Sequence, residues 1–167
     1  MKQGLYLICP DSRVDADRLI RAVRAKAGQN AVDAFLYTFP AAMNDGEHKT
    51  VLKKLIPALQ SENIAVLLKD RVEEALKSGC DGVQVGYDGT IAKLRRKIPD
   101  ISLGVVCETR HEAMTAGEAG ADYIAFSGDD ALDNAEWWAE LFTVPVVVFN
   151  PDAPCPFADF IAETVCV

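Results

Sequence analysis

Short apolar runs alternate with amphipathic segments along the whole of this 167-residue chain. The runs are continuous stretches of valine, isoleucine and leucine, which is typical of parallel strands covered on both faces. They lie at residues 4–9, 32–39, 64–68, 82–85, 102–107, 123–126, 145–149 and, weakly, 164–167. The amphipathic segments predict helices over residues 15–27, 48–63, 71–78, 90–98, 110–119 and 132–142. Alternation of this kind predicts an α/β domain built on a parallel sheet.

Two stretches of the sequence also resemble each other. Residues 78–85 and 119–126 each contain a helix end, a glycine, a small residue, an aspartate and then a buried strand. They lie about two strand–helix units apart, which indicates a repeated α/β architecture.

Two architectures fit seven or eight such units. An open doubly wound sheet binds its ligand at the switch point and usually carries a glycine-rich phosphate loop after its first strand. Here residues 10–13 read Pro-Asp-Ser-Arg, so we favour a closed barrel. The prediction is one domain over residues 1–167, a compact (β/α)8 TIM barrel that is shortened at its C-terminus relative to the roughly 250 residues typical of the fold. Apolar surface left uncovered there could be covered by a second copy, so a homo-oligomer is also considered.

Charge and composition narrow the possible partners. The net charge of −8 argues against nucleic acid and against an anionic membrane surface. No apolar run approaches the roughly 20 residues needed to span a bilayer, and the start of the chain does not read as a signal peptide. The five cysteines form no CxxC pair, and most sit in or beside apolar runs. We therefore predict reduced, mostly buried thiols and a cytoplasmic location.

A barrel brings the residues that follow each strand to one mouth, and here those residues are mainly acidic. Asp70 and Asp88 follow neighbouring strands and are the best-placed pair for Mg²⁺, which accepts one or two carboxylates together with substrate phosphate oxygens. Lys69 and Arg71 flank Asp70, where a phosphate and a metal could meet. Glu108 and Asp70 are candidate general bases. The alternative for each carboxylate is that it caps a helix or solvates a loop.

Neither histidine is predicted to act in catalysis. His48 follows a loop of glycine, asparagine and aspartate, and His111 begins a helix, so both are expected at the surface. The motifs of serine hydrolases, zinc proteases and nucleotide-binding proteins do not occur in the sequence.

The order of several motifs resembles the thiamine phosphate synthase family, which includes the thiazole tautomerase. The resemblance covers nearly the whole chain. Its motifs are Gly-Leu-Tyr-Leu-Ile at 4–8, Leu-Leu-Lys-Asp-Arg at 67–71, Asp-Gly-Val-Gln-Val-Gly at 81–86, Leu-Gly-Val at 103–105, Gly-Ala-Asp-Tyr-Ile-Ala-Phe at 120–126 and Val-Pro-Val-Val at 144–147.

This resemblance implies a TIM barrel that joins an aminopyrimidine diphosphate to a thiazole phosphate, with Mg²⁺ assistance and release of pyrophosphate. The family's Asn-Asp after strand three reads Lys69-Asp70, which retains one metal-binding aspartate. Its second metal carboxylate aligns with Gly89, one place after Asp88. Tyr87, Ser127 and Gly128, which follow strands four and six, are predicted together with Lys69 and Arg71 to bind a small phosphorylated heterocyclic substrate.

Other positions depart from the family pattern. The Gln-x-Arg-x-Lys pattern of strand two is missing from residues 35–39, and the Ser and His after strand five become Val106 and Glu108. The Thr-x-Thr-Lys loop after strand six reads Ser-Gly-Asp-Asp, and the Gly-Gly after strand seven reads Asn150-Pro151. Phosphate-binding groups have been lost and carboxylates gained, which predicts a depleted active site. Three interpretations remain: a thiamine phosphate synthase-type transferase, a tautomerase-like isomerase acting on a small heterocycle, and an inactive binding or assembly barrel of the same family.

Overall fold

The computed structural model describes residues 3–167 and shows a closed barrel of eight parallel strands. The strands are β1 (Gly4–Ile8), β2 (Ala34–Tyr37), β3 (Ala65–Lys69), β4 (Gly82–Gly86), β5 (Ser102–Cys107), β6 (Tyr123–Phe126), β7 (Val146–Phe149) and β8 (Phe160–Thr164). Each strand pairs in parallel with the next, and β8 closes the barrel against β1. The predicted (β/α)8 fold is confirmed.

The last strand lies earlier than the sequence analysis placed it. It begins at Phe160, which pairs with Gly4, and it ends at Thr164 rather than running over residues 164–167. Phe160 and Ala162 turn into the barrel interior, where the inward-facing residues of the other strands also lie. Side chains of this strand therefore alternate between the interior and the outside of the barrel. The prediction was wrong because it relied on the apolar residues at the end of the chain.

Six helices cover the barrel over the described residues: α1 (Ala16–Ala27), α2 (Asp45–Gln60), α3 (Val72–Ser78), α4 (Ile91–Lys97), α5 (Arg110–Glu118) and α6 (Ala131–Leu141). Their ends follow local sequence signals. Asp15 caps α1 by accepting a hydrogen bond from the Arg18 amide at 2.9 Å, and Thr109 begins α5 with a full capping box. Gly79 ends α3 at a φ of 77°, a conformation that glycine adopts without strain.

Between β7 and β8 the described chain forms no helix. The connecting segment is irregular, and its Cys155 and Ala158 are buried in the layer between sheet and helices. None of the helices described over residues 3–167 has the length and apolar character needed to cross a membrane.

Four aspartates make the same type of hydrogen bond at the base of the barrel. Each directly precedes an even-numbered strand, and its Oδ2 accepts the hydrogen bond of a backbone N–H near the start of the preceding strand. The pairs are Asp33 with Leu5, Asp81 with Val66, Asp122 with Leu103 and Asp159 with Val146, at 2.8 to 2.9 Å. Without these carboxylates the strand ends would leave amide donors unpaired. The resemblance between residues 78–85 and 119–126 is therefore part of a repeat of two strand–helix units.

The barrel interior is filled with side chains. Gln84 is only 5 % exposed, and its Oε1 accepts hydrogen bonds from the hydroxyls of Tyr123 at 2.8 Å and Tyr6 at 3.2 Å. The two hydroxyls lie 2.9 Å apart. A Cβ atom at Gly104 would lie 2.0 Å from the Tyr123 ring, so the ring needs glycine at this position. Because the interior is packed, space for a ligand within the barrel lies above it, at the carboxyl ends of the strands.

Candidate functional site

The carboxyl ends of the strands surround a cavity of about 410 Å³, which we call the mouth cavity. Five apolar residues form most of its wall, namely Ile8, Leu36, Val85, Val106 and Phe149. Four polar residues complete it with Gly86, namely Thr38, Lys69, Asp70 and Gln84. Its position is the one at which TIM barrels carry their active sites, and its size is that of a small-molecule site.

Lys69 and Asp70 lie side by side at the edge of the mouth cavity. The Asp70 amide donates to the Gln84 carbonyl at 2.9 Å, which continues the pairing of β3 with β4 by one residue. Asp70 then turns the chain at a φ of 65°, a conformation that the short side chain of aspartate tolerates better than most. Backbone of this kind is concentrated at functional sites. Lys69 forms no ion pair within residues 3–167, so its charge is available to an anionic ligand.

Gln84 forms the floor of the mouth cavity, a role that was not predicted from the sequence. Its Oε1 is held by the tyrosine hydroxyls beneath, so the side-chain NH₂ is the group left to donate to a ligand. Burial raises the pKa of both Tyr6 and Tyr123, which keeps the hydroxyls protonated and able to donate. A polar residue in the middle of an apolar strand is the signal that could have identified Gln84.

Arg71 lies outside the mouth cavity, although it was predicted to bind substrate beside Asp70. Its Nη1 lies 2.7 Å from Asp45 Oδ1, and its guanidinium stacks over the Phe39 ring at 4.3 Å. The side chain therefore lies in the groove between α2 and α3. Asp45 is far from Arg71 in sequence, so local reasoning could not identify this partner.

Asp88 follows β4 as predicted but does not line the mouth cavity. Its Oδ1 accepts hydrogen bonds from the Thr90 amide at 2.7 Å and the Thr90 hydroxyl at 2.5 Å, and these bonds lower the pKa of the carboxyl. The contacts stabilise the turn that leads into α4. The contacts observed for Asp88 are those of a carboxylate that stabilises a loop, which was the alternative to a functional role.

The other predicted site residues also surround the mouth without lining the cavity. Glu108 is exposed after β5, where its backbone amide donates to Glu112 at 3.1 Å. Tyr87 is half-buried after β4, Ser127 is half-buried after β6, and Gly128 is exposed beside it. Their roles in binding or catalysis stay predictions.

Residues 3–167 contain no cluster of three or more acidic, histidine or cysteine side chains able to hold a metal ion. Mg²⁺ usually keeps several waters and uses one or two carboxylates together with substrate phosphates. Asp70, at the edge of the mouth cavity, fits the role of one such carboxylate. Asp88 directs one oxygen to Thr90, and its part in a metal pair stays a prediction.

His48 is buried, so its predicted surface position is wrong. It is 2 % exposed, and its Nδ1 lies 2.6 Å from the Tyr37 hydroxyl. The reason is that α2 begins at Asp45, capped by Asn44, and not at residue 48, which turns His48 to the inner face of the helix. Burial, followed by the nearby Arg71 charge, lowers the pKa of the imidazole. His111, by contrast, is exposed as predicted.

Comparison with known proteins gives one consistent family. A family profile described as thiamine monophosphate synthase matches residues 5–128. The thiamine-phosphate synthase of Rhodospirillum centenum is 36 % identical over 65 % of this chain and 60 % of its own length. That of Erythrobacter litoralis is 33 % identical over 95 % of this chain and 84 % of its own length.

Solved structures share the fold. A thiamine phosphate pyrophosphorylase from Pyrococcus furiosus superposes with a TM-score of 0.76 at 24 % identity, over 96 % of this chain and 85 % of that one. A phosphonomutase-like protein from Burkholderia cenocepacia superposes with a TM-score of 0.69 at 15 % identity, over 96 % of this chain and 86 % of that one. At these identities the likeness concerns the barrel alone.

Proposed function

This chain belongs to the thiamine monophosphate synthase family, and from that premise we propose that it joins an aminopyrimidine diphosphate to a thiazole phosphate in thiamine biosynthesis. The observation that carries the proposal is the placement of Lys69 and Asp70 together at the edge of the mouth cavity. In the reaction, the carbon–oxygen bond to the diphosphate breaks, a bond to the thiazole nitrogen forms and pyrophosphate leaves.

Residues of the mouth cavity suit distinct parts of this reaction. The Lys69 ammonium is a compact cation with three donors, which offsets charge on the diphosphate. The Gln84 amide donates from the floor towards a heterocycle nitrogen or oxygen. The apolar wall excludes water, which would otherwise compete with the thiazole for the reactive carbon.

Mg²⁺ is the proposed cofactor, with Asp70 as one carboxylate ligand and Asp88 as the second candidate. When bound, it would neutralise charge on the diphosphate leaving group. Asp70 would hold the Mg²⁺ ion on the Lys69 side of the mouth cavity. The predicted catalytic and substrate roles of Glu108, Arg71, Tyr87, Ser127 and Gly128 belong to the same proposal.

The test is pyrophosphate release in the presence of both substrates and Mg²⁺. We expect turnover by the wild-type chain and a fall in kcat/KM of roughly 10- to 100-fold for Asp70→Asn and for Lys69→Ala, the effect of losing one hydrogen bond to a charged group. Lys93→Ala is the matched control because Lys93 is exposed on α4 away from the mouth cavity. Absence of turnover in the wild type, or wild-type rates in both mouth variants, would refute the proposal.

A second candidate is a tautomerase-like isomerase acting on a less anionic heterocycle. The observation that favours it is the lining of the mouth cavity, which contains five apolar residues and Lys69 as its cation. Asp70 would then take a proton from a ring-bound carbon and return it at another position. Incorporation of solvent deuterium into a thiazole that carries no diphosphate, abolished by Asp70→Asn, would favour this activity over transfer.

The cellular setting is proposed on chemical grounds. Four of the five cysteines are buried free thiols and Cys166 is an exposed free thiol, which suits a reducing cytoplasm.

A homo-oligomer also remains a prediction. Large apolar side chains of α6 and the residue after it are exposed, with Leu141 at 62 % and Phe142 at 36 %. Sedimentation velocity at several protein concentrations measures the assembly state directly.

A further inference from the structure

A second cavity lies outside the barrel, between α2 and α3, and we call it the α2–α3 groove. Its volume is about 530 Å³, which falls in the range of small-molecule sites. Its lining shares no residue with that of the mouth cavity. Apolar groups come from Phe39, Leu52 and Ile56, and basic groups from Lys49, Lys53 and Lys77.

The α2–α3 groove is locally basic on a protein whose net charge is −8. The two carboxylates of the lining lie against Arg71, with Asp45 at 2.7 Å and Glu74 at 3.7 Å from its Nη1. Lys49 and Lys53 on α2 and Lys77 on α3 form no ion pair within residues 3–167. The lining therefore carries four basic groups against two carboxylates, and its three lysines are free of ion pairs within the described residues.

The floor of the groove is aromatic and held in place. Phe39 has a φ of 53°, and its ring packs edge-on against Tyr37 at 4.9 Å and His48 at 5.2 Å between centroids. The hydrogen bond between His48 and Tyr37 fixes the imidazole, and Arg71 covers one face of Phe39. Because these side chains already hold one another, a ligand would meet a surface that is ordered in advance.

We propose that the α2–α3 groove binds a small organic anion, an apolar ring or chain that carries one phosphate or carboxylate group. The apolar part would lie against the partly exposed edge of Phe39, with the buried Leu52 and Ile56 beneath it. The anionic group would lie among Lys49, Lys53 and Lys77, whose flexible ammonium groups are suited to a phosphate or carboxylate.

The test uses phenyl phosphate, titrated by calorimetry into the full chain. We expect a dissociation constant below about 1 mM, and at least tenfold weaker binding by the double variant Lys49→Glu, Lys53→Glu. The matched control is Lys93→Glu, Arg96→Glu on α4, which makes the same change in net charge at exposed residues away from both cavities. The control variant is expected to bind as the wild type does.

Two further measurements distinguish binding in the α2–α3 groove from simple charge attraction and from binding in the mouth cavity. Methyl phosphate carries the same charge without a ring and is expected to bind at least tenfold more weakly than phenyl phosphate. Lys69→Ala removes the cation of the mouth cavity and is expected to leave phenyl phosphate binding unchanged. No binding at millimolar concentration, equal binding of the two phosphates, equal weakening by both charge-reversal variants, or loss of binding in Lys69→Ala would each overturn the proposal.

Discussion

Replacing Gln84 with leucine tests the floor of the mouth cavity. Leucine has nearly the same volume but removes Oε1, which accepts from the Tyr123 hydroxyl at 2.8 Å and the Tyr6 hydroxyl at 3.2 Å. The two hydroxyls can still bond to each other at 2.9 Å, so one hydroxyl keeps a partner and the other loses its acceptor. A buried donor left unsatisfied costs about 1–3 kcal/mol. We therefore expect Gln84→Leu to lower the free energy of unfolding by about 2 kcal/mol, less a smaller gain from the added apolar surface.

Urea denaturation of a double-mutant cycle isolates this cause. The double change Tyr6→Phe, Tyr123→Phe leaves Gln84 Oε1 without a donor and is expected to destabilise the wild-type protein by about 2 kcal/mol. In the Gln84→Leu background the same change removes the hydroxyl that has no acceptor together with its partner, so it should be close to neutral there. The two effects should then be non-additive by about 1 kcal/mol or more, as for residues in one hydrogen-bond network. Additive effects, or a Gln84→Leu protein as stable as the wild type, would refute the network.

Three further predictions concern other parts of the molecule. Asp122→Ala should lower the free energy of unfolding by about 1 kcal/mol in urea denaturation, because the Leu103 amide at the base of β5 and the Arg95 guanidinium both lose their acceptor, whereas Asp122→Asn should lose less. His48 is buried with a pKa below that of the unfolded chain, so the unfolded state takes up protons first as the pH falls through about 6.5. The melting temperature should therefore fall below that pH more steeply in the wild type than in His48→Gln, and identical pH dependence would contradict the assignment. Burial raises the pKa of Cys107 to about 12, so Ellman's reagent at pH 8 should rapidly modify the exposed Cys166 but not Cys107 in the folded protein. The rapid reaction should therefore be absent from a Cys166→Ser variant.

Much of the fold could be predicted because each element carries its own local signal. Continuous apolar runs marked the first seven strands, since both faces of a parallel strand are covered. Capping residues marked helix ends, as with Asp15 before α1 and Gly79 after α3. The eighth strand was misplaced because Phe160 and Ala162 alternate with residues that are only partly covered, a weaker signal than the apolar end of the chain.

The candidate site was predicted less completely, because it depends on where side chains turn after each strand. Lys69 and Asp70 line the mouth cavity, yet the next residue, Arg71, turns outward to Asp45. Adjacent residues therefore point to different sides of the barrel wall, and Asp45, the partner that holds Arg71 outside, is distant in sequence. Gln84 was missed for a related reason: within a barrel strand an inward polar residue can form the floor of a site, and its tyrosine partners come from opposite parts of the chain.

We propose above that Lys69 and Asp70 together hold the diphosphate of a substrate in the mouth cavity. Calorimetric titration of the aminopyrimidine diphosphate, with and without Mg²⁺, tests it directly on the wild type and on Lys69→Ala. We expect binding that tightens with Mg²⁺ and weakens at least tenfold in Lys69→Ala. Absence of heat at millimolar ligand, or equal affinity of the two proteins, would contradict it.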